Sequence, residues 1–237
     1  AQQTPAPKQT TAVSIEGATA HLGDGTVIDD SLIMFEDGKI TFVGSAKMKI
    51  ARKGTIIKAT GKHVYPGFIA VNTTLGLVEI NSVKATVDVD EIGTMNPHIR
   101  SLIAYNAESK VVETMRPNGI LIGQITPRGG VISGTSSIVQ FDAWNWEDAA
   151  LKIDDGIHMN WPNSITFGRE RLGEEPGARI SKTYPKSIES IENYLNEAKD
   201  YLKGSKLPKN LEYEALSGMF DASQKLYIHV NGEREII

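Results

Sequence analysis

The chain has 237 residues, 40% hydrophobic and 23% charged, with a formal net charge of −4; these are ordinary values for a globular protein of one large or two small domains. No apolar run approaches the roughly 20 residues that span a bilayer, and no basic patch of the kind that binds nucleic acid stands out. Cysteine is absent, which excludes disulfides and thiolate metal sites.

Residues 1–11 are polar, contain Pro5 and Pro7, and show no periodicity, the composition of a flexible lead-in. A start at Ala1 without Met fits the mature end left by signal-peptide cleavage, with a trimmed tag as the plainer alternative. Export to the periplasm or cell surface is therefore expected over a cytoplasmic location, and the lack of cysteine fits an oxidising compartment.

Residues 12–63 read as all-β. Val13, Ile15 and Ala18 lead to a turn at Gly23-Asp24-Gly25, and the apolar stretch Val27 to Phe35 follows. Asp37-Gly38 is a type I′ hairpin signal, with Lys39 to Val43 as the returning strand. A short strand over Thr55 to Ala59 lies between Gly54 and Gly61. Short strands between glycine turns point to part of a sandwich or small barrel, incomplete without strands from elsewhere.

From Val64 the pattern changes. Pro66-Gly67 marks a turn, and Phe68 to Val71 is a continuous apolar run, predicted to be a strand covered on both faces. Asn72, Thr73 and Thr74 form its polar tip, where parallel α/β folds bind ligands. A loop with Asp88, Asp90 and Glu91 precedes a helix predicted from Pro97 through Ile103, and Glu108 to Met115 continues helical until Pro117-Asn118-Gly119. Ile120 to Ile125 reads as a second buried strand. Pro127 to Ser137 reads as a Gly/Ser-rich loop leading to the strand Ile138 to Phe141. Trp144 to Lys152 is predicted helical and Gly156 to Met159 a third strand. The clearest helix runs from about Lys186 to Lys203, with Ile188, Ile191, Leu195, Ala198 and Leu202 in one stripe and Gly204 as the C-terminal cap. Leu211 to Met219 follows as a shorter helix, Lys225 to Val230 as a strand ending in His229, and Gly232 to Ile237 as a helix start. Alternating β and α units predict a parallel α/β sheet or barrel, with four or five strands and not the eight of a closed barrel.

Five histidines occur, and no HxH or HExxH pattern joins them, so no local zinc signature is present. His229 falls at a strand end where a metal ligand or base belongs; a capped or core histidine is the equal alternative. His158 has a similar place on a weaker strand, and there the core reading is the plainer one. His21 and His63 read as surface or turn residues, and His98 as a capping residue. The stretch Arg128 to Ser137, which includes Ser136, offers backbone N–H groups and one cation to an anion, although a plain strand-end loop is the default. Trp144 and Trp146 read as anchors to a core before stacking platforms. Asp154-Asp155 and Glu174-Glu175 read as solvated charges before cation ligands. No GxSxG elbow is present.

Taken in order, these residues resemble the metal-dependent amidohydrolase superfamily, closest to its imidazolonepropionase-like branch. Asp37 to Gly44 looks like the family's "DGKI..VG" hairpin, and Gly61 to Ile69 like its lead into the first barrel strand. Asn118-Gly119-Ile120-Leu121 resembles its second strand, Gly129 to Ser137 the glycine-rich segment after it, and Lys225 to Asn231 the fifth strand with its ligand histidine. The resemblance implies a partial (β/α)8 barrel over residues 64–237, preceded over residues 12–63 by part of a composite β-sandwich. It also implies zinc or another divalent metal, whose bound hydroxide attacks a non-peptide C–N bond.

The departures lie at the metal. Asn72 and Thr74 stand where the family has HxH, and neither is a good zinc ligand. His229 matches a ligand position and His158 falls near another. The remaining ligands would lie beyond Ile237, so no catalytic residue is assigned. The missing C-terminal half of the barrel is expected from the same polypeptide or a second chain, including a homo-oligomer. An inactive amidohydrolase-fold protein with a binding or assembly role is the alternative to a hydrolase.

Overall fold

The computed structural model describes residues 4–168 and 177–236. Glu174-Glu175 lie outside the described residues. The chain divides into two compact units, residues 1–68 and 69–237.

The first unit is a five-stranded sheet of β1 (Val13–His21), β2 (Val27–Glu36), β3 (Lys39–Ser45), β4 (Thr55–Lys58) and β5 (His63–Val64). β1 is central: it runs antiparallel to β2 and parallel to β4 and β5, while β3 pairs with β2. The β2–β3 turn has Asp37 at φ 51 and Gly38 at φ 70, the pair of positive angles that a type I′ turn requires. Ala18, Ala20, Leu32, Ile33 and Met34 are buried. His21 and His63 sit on β1 and β5 and not in turns; they lie at the surface, as the other half of that reading has it, and hydrogen-bond each other at 3.0 Å.

The second unit carries a sheet of order β12-β9-β8-β7-β6, made of β6 (Phe68–Thr73), β7 (Ile120–Ile125), β8 (Ile132–Gln140), β9 (Ala150–Asn160) and β12 (Lys225–His229). A separate antiparallel pair, β10 (Ile165–Phe167) and β11 (Ala178–Ile180), is not foreshadowed by the sequence pattern. The long helix is α4 (Tyr184–Lys203); α1 (Ser101–Ala104), α2 (Lys110–Met115), α3 (Trp146–Ala149), α5 (Leu211–Ala215) and α6 (Ser217–Phe220) are short. Ile191 and Ala198 of α4 pack with Ile132, Ile157, Met159 and Leu216 in one core cluster. A second cluster joins Leu77, Leu102, Val112, Ile125, Val139 and Phe141.

The sheet is mixed, not parallel. β8 runs antiparallel to both β7 and β9, while β9 and β12 form a parallel pair. The expected loop from Pro127 to Ser137 is mostly strand, and its small residues explain why. Ser133, Thr135, Ser136 and Ser137 are all buried. A Cβ on Gly134 would lie 2.6 Å from the Ile99 carbonyl oxygen, so the segment 97–101 can press directly onto the strand. Ser101 Oγ donates to the carbonyls of Ile125 and Thr135 there, at 2.7 and 3.1 Å.

That same segment is consequently not helical before Ser101. Arg100 bridges to Thr135 instead, correcting the helix expected from Pro97. The helix expected over Trp144 to Lys152 stops at Ala149, after which β9 pairs with β8. Gly204 caps α4 in extended conformation (φ −87, ψ −157), not left-handed. Buried Leu216 divides the helix expected over Leu211–Met219. The strand read as covered on both faces, β6, is an edge strand, with Phe68, Ile69 and Val71 exposed at 67%, 60% and 73%.

Candidate functional site

The polar centre of the second unit is built on the two adjacent parallel strands β9 and β12. Tyr227 pairs with His158 and His229 with Asn160 along this ladder. His229 therefore sits one pleat further along, and its Nε2 comes within 2.8 Å of His158 Nδ1. The other nitrogen of His158, Nε2, lies 2.8 Å from Ser136 Oγ on β8. Ser136 Oγ in turn donates to the Gly156 carbonyl at 3.2 Å. His158 is 1% exposed. Burial, then the nearby His229 and Arg128, push its pKa down to about 4 against a smaller opposing pull from Asp155. Burial and Arg128 also lower His229. Both rings are thus neutral at neutral pH, each with one donor and one acceptor nitrogen.

A carboxylate stands beside the imidazoles. Tyr227 stacks on His158 with ring centroids 4.8 Å apart and 17° between planes, and its hydroxyl donates to Asp155 Oδ2 at 2.7 Å. Gln124 Nε2 donates to the same oxygen at 3.3 Å, and Lys152 Nζ reaches Oδ1 at 2.7 Å. Desolvation raises the Asp155 pKa, yet the bonds from Lys152 and Tyr227 outweigh it and leave the carboxyl below its ordinary value. Asp155 is therefore not the solvated charge that the sequence indicated; Asp154 is, paired with Arg100 at 39% side-chain exposure. The network continues across the sheet, since Gln124 Oε1 accepts from the backbone N–H of Asn72 at 3.1 Å.

Asn72 has φ 50, a left-handed angle that Asn tolerates better than most residues. Arg128 holds it there, donating from one terminal nitrogen to the Asn72 carbonyl at 2.7 Å and from the other to Oδ1. Thr74 takes no part in these contacts: its carbonyl accepts from Leu77 N–H at 2.9 Å in a turn. The loop 127–131 is pinned by Asn160, whose Nδ2 donates to the carbonyls of Gly129 and Gly130 and to Ser133 Oγ. Trp146 packs against the core and Trp144 is 61% exposed, so only one of the pair anchors.

The structure thus brings His158, His229 and Ser136 together and links Asn72 and Arg128 to the same centre through Gln124. Asp155, Tyr227 and Gln124 are members that sequence reasoning missed. The one available signal was alternation: a charged residue inside the strand Ala150–Asn160, two positions before Ile157, belongs on a buried face only if it has partners.

Among the described residues, no group of three or more His, Asp or Glu is placed to hold a metal ion. The two imidazoles bond each other, and both Asp155 oxygens accept hydrogen bonds. This donor set falls short of the three or four ligands of a zinc site, so the described residues by themselves do not fit the divalent metal that the family resemblance implies.

No protein-family model matches the chain, and no curated protein matches it. Among solved structures, an amidohydrolase from Thermotoga maritima MSB8 superposes with a TM-score of 0.77 at 20% identity, over 94% of this chain and 59% of that one. The chain therefore spans about three-fifths of the length of that protein, and the likeness establishes a shared fold. A prolidase solved with N-methylphosphonate-L-proline matches 48% of this chain and 25% of its own at 19% identity and a TM-score of 0.34. A putative prolidase from Bifidobacterium longum matches 55% and 31% at 21% identity and 0.28.

Proposed function

We propose that the chain is the N-terminal portion of a hydrolase of non-peptide carbon–nitrogen bonds, of the imidazolonepropionase-like kind. Residues 12–63 belong to a composite β-sandwich and residues 64–237 to a barrel that further strands complete, from the same polypeptide or a second chain. The observation that supports this reading is the neutral pair His158–His229 at one end of adjacent parallel strands, in a fold shared with an amidohydrolase over 94% of the chain. Strand ends of this kind are where α/β barrels assemble their chemistry. The metal site is altered in this portion, where Asn72 and Thr74 stand at the positions of the family's HxH pair; the engagement of Asn72 by Arg128 supports this reading. Export is part of the same reading.

A second reading has its own support. The two imidazoles are bonded to each other, and no third His, Asp or Glu is placed to share a metal ion with them among the described residues. That arrangement favours a protein that keeps the fold for binding or assembly. Metal analysis of the complete protein, with turnover assays on amides and lactams, separates the two. About one or two zinc-type ions per chain together with turnover supports the hydrolase. Metal-free protein that turns over no substrate in the panel sinks it in favour of the binding role.

A further inference from the structure

Three contacts run in series from the backbone of β9 to His229: Gly156 carbonyl to Ser136 Oγ at 3.2 Å, Ser136 Oγ to His158 Nε2 at 2.8 Å, and His158 Nδ1 to His229 Nε2 at 2.8 Å. Each contact needs one hydrogen. The Gly156 carbonyl has none to give, so Ser136 must supply the first. Its oxygen then accepts from His158, which places the His158 proton on Nε2. A neutral His158 has a bare Nδ1 in that state and can only accept, so His229 supplies the last hydrogen from Nε2. The reverse ordering, with Ser136 donating to His158, leaves the Ser136–Gly156 contact without a hydrogen and satisfies two contacts of three. Protonating His158 on both nitrogens would place a cation on a ring that is 1% exposed, which burial opposes.

We infer that Ser136 is a positioning residue that, through His158, fixes His229 as the tautomer with Nε2 protonated and Nδ1 bare. The consequence is chemical. His229 Nδ1 carries the lone pair that this site presents. It is the nitrogen left to accept a proton from whatever binds. His229 is held for this by a backbone carbonyl of the neighbouring strand, through a hydroxyl and a second imidazole, a relay of the kind in which the far hydrogen bond of a histidine sets its near nitrogen. The inference concerns the same imidazoles as the proposed hydrolase, but its test reads protonation and not turnover, so the two can fail separately.

The test is imidazole nitrogen NMR on the complete protein, 15N-labelled at histidine, metal-free and at neutral pH, with His229→Asn used to assign the signals. The expected wild-type pattern is one tautomer for each ring: His229 protonated on Nε2 with a bare Nδ1, and His158 likewise protonated on Nε2. The opposite pattern, with His158 protonated on Nδ1, overturns the inference, and the wild-type spectrum alone decides this. Ser136→Ala then tests the lock. Loss of the single-tautomer pattern at both rings, with Ser136→Thr restoring it, is expected; an unchanged pattern in Ser136→Ala removes Ser136 from the role.

Discussion

Tyr227 on β12 donates its phenolic hydrogen to Asp155 Oδ2 on β9 at 2.7 Å, joining two parallel strands through a carboxylate whose side chain is 2% exposed. A hydrogen bond to a charged group contributes about 1.5–3 kcal/mol, and the buried acceptor makes its loss costly. Tyr227→Phe keeps the ring stacked on His158 and removes only the bond. It should destabilise by about that amount in urea unfolding. The sign with pH follows from Asp155, whose folded-state pKa lies below the ordinary value. Its contribution is full above the unfolded pKa of about 3.9 and is lost as pH falls through the folded value. The gap between wild type and Tyr227→Phe should therefore be constant near neutrality and close only in acid. A gap that persists unchanged below both pKa values would show that the carboxylate is not the partner that matters.

His158 imposes a different pH dependence. Burial, His229 and Arg128 hold its pKa at about 4, below the ordinary 6.5. Between those two values the unfolded chain binds a proton that the folded one refuses. Stability should fall as pH drops through this window, at up to about 1.4 kcal/mol per pH unit, and level off below it. His158→Asn should flatten the slope, leaving the smaller share that His229 contributes. Equilibrium unfolding at a series of pH values measures it; equal slopes in the two proteins would refute the assignment.

Gly156 is a position where a methyl group has nowhere to go. A Cβ there would run into the Tyr227 ring and come within 2.9 Å of the Lys225 carbonyl oxygen. Gly156→Ala should cost about 1–3 kcal/mol, as overpacking does. Because the clash is largely with Tyr227, the double variant with Tyr227→Ala should cost less than the sum of the singles. Additive values would place the strain on the backbone contact instead.

What could be read from the sequence was what local rules govern. Asp37-Gly38 fixed a hairpin because two positive φ angles leave little choice, and the three-and-four spacing of apolar residues that includes Ile191 and Ala198 fixed α4. His229 at the end of β12 followed from the apolar run before it. The end of β8 was legible in the apolar run from Ile138, but its first part was hidden because Ser133, Gly134, Ser136 and Ser137 carry the composition of a loop; it is a strand because it pairs with β9 and segment 97–101 packs on it. Asp155 was hidden for the same reason: its hydrogen-bonding neighbours Gln124 and Tyr227 come from distant positions, and Lys152 is a charge that looks solvated. Phe68 to Val71 erred in the other direction, since an apolar run cannot report whether its edge is covered.

Arg128 acts on the site in two ways, by holding Asn72 and by keeping the imidazoles neutral. Its own pKa is lowered by burial, and its charge lowers both His158 and His229. Arg128→Met should raise the pKa of both histidines and release the Asn72 backbone from its left-handed angle. Histidine titration by NMR reads the first effect and the Asn72 amide shift the second. Histidines that titrate as in wild type would mean that desolvation alone holds them down.

The last expectation concerns β6. Ile69 and Val71 are two residues apart, so they share one face of the strand, and they are exposed at 60% and 73%. Among the described residues β6 ends the sheet, with β7 as its one neighbour in the strand order. An edge that offers both unpaired backbone groups and apolar side chains is a template for another strand. Natural edges are blunted by lysine, proline or a bulge, and here Asn72 supplies only a left-handed kink near the end of the strand. The 237-residue chain on its own should therefore self-associate at micromolar concentration, seen as a heterogeneous mass by light scattering after gel filtration. Val71→Lys should shift it towards monomer, because a charge on the edge opposes pairing without touching the buried side of the sheet. In the complete protein the same substitution should instead destabilise, since there we expect a further strand to cover Val71. A monodisperse, cooperatively melting monomer from the wild-type chain would show that β6 needs no partner.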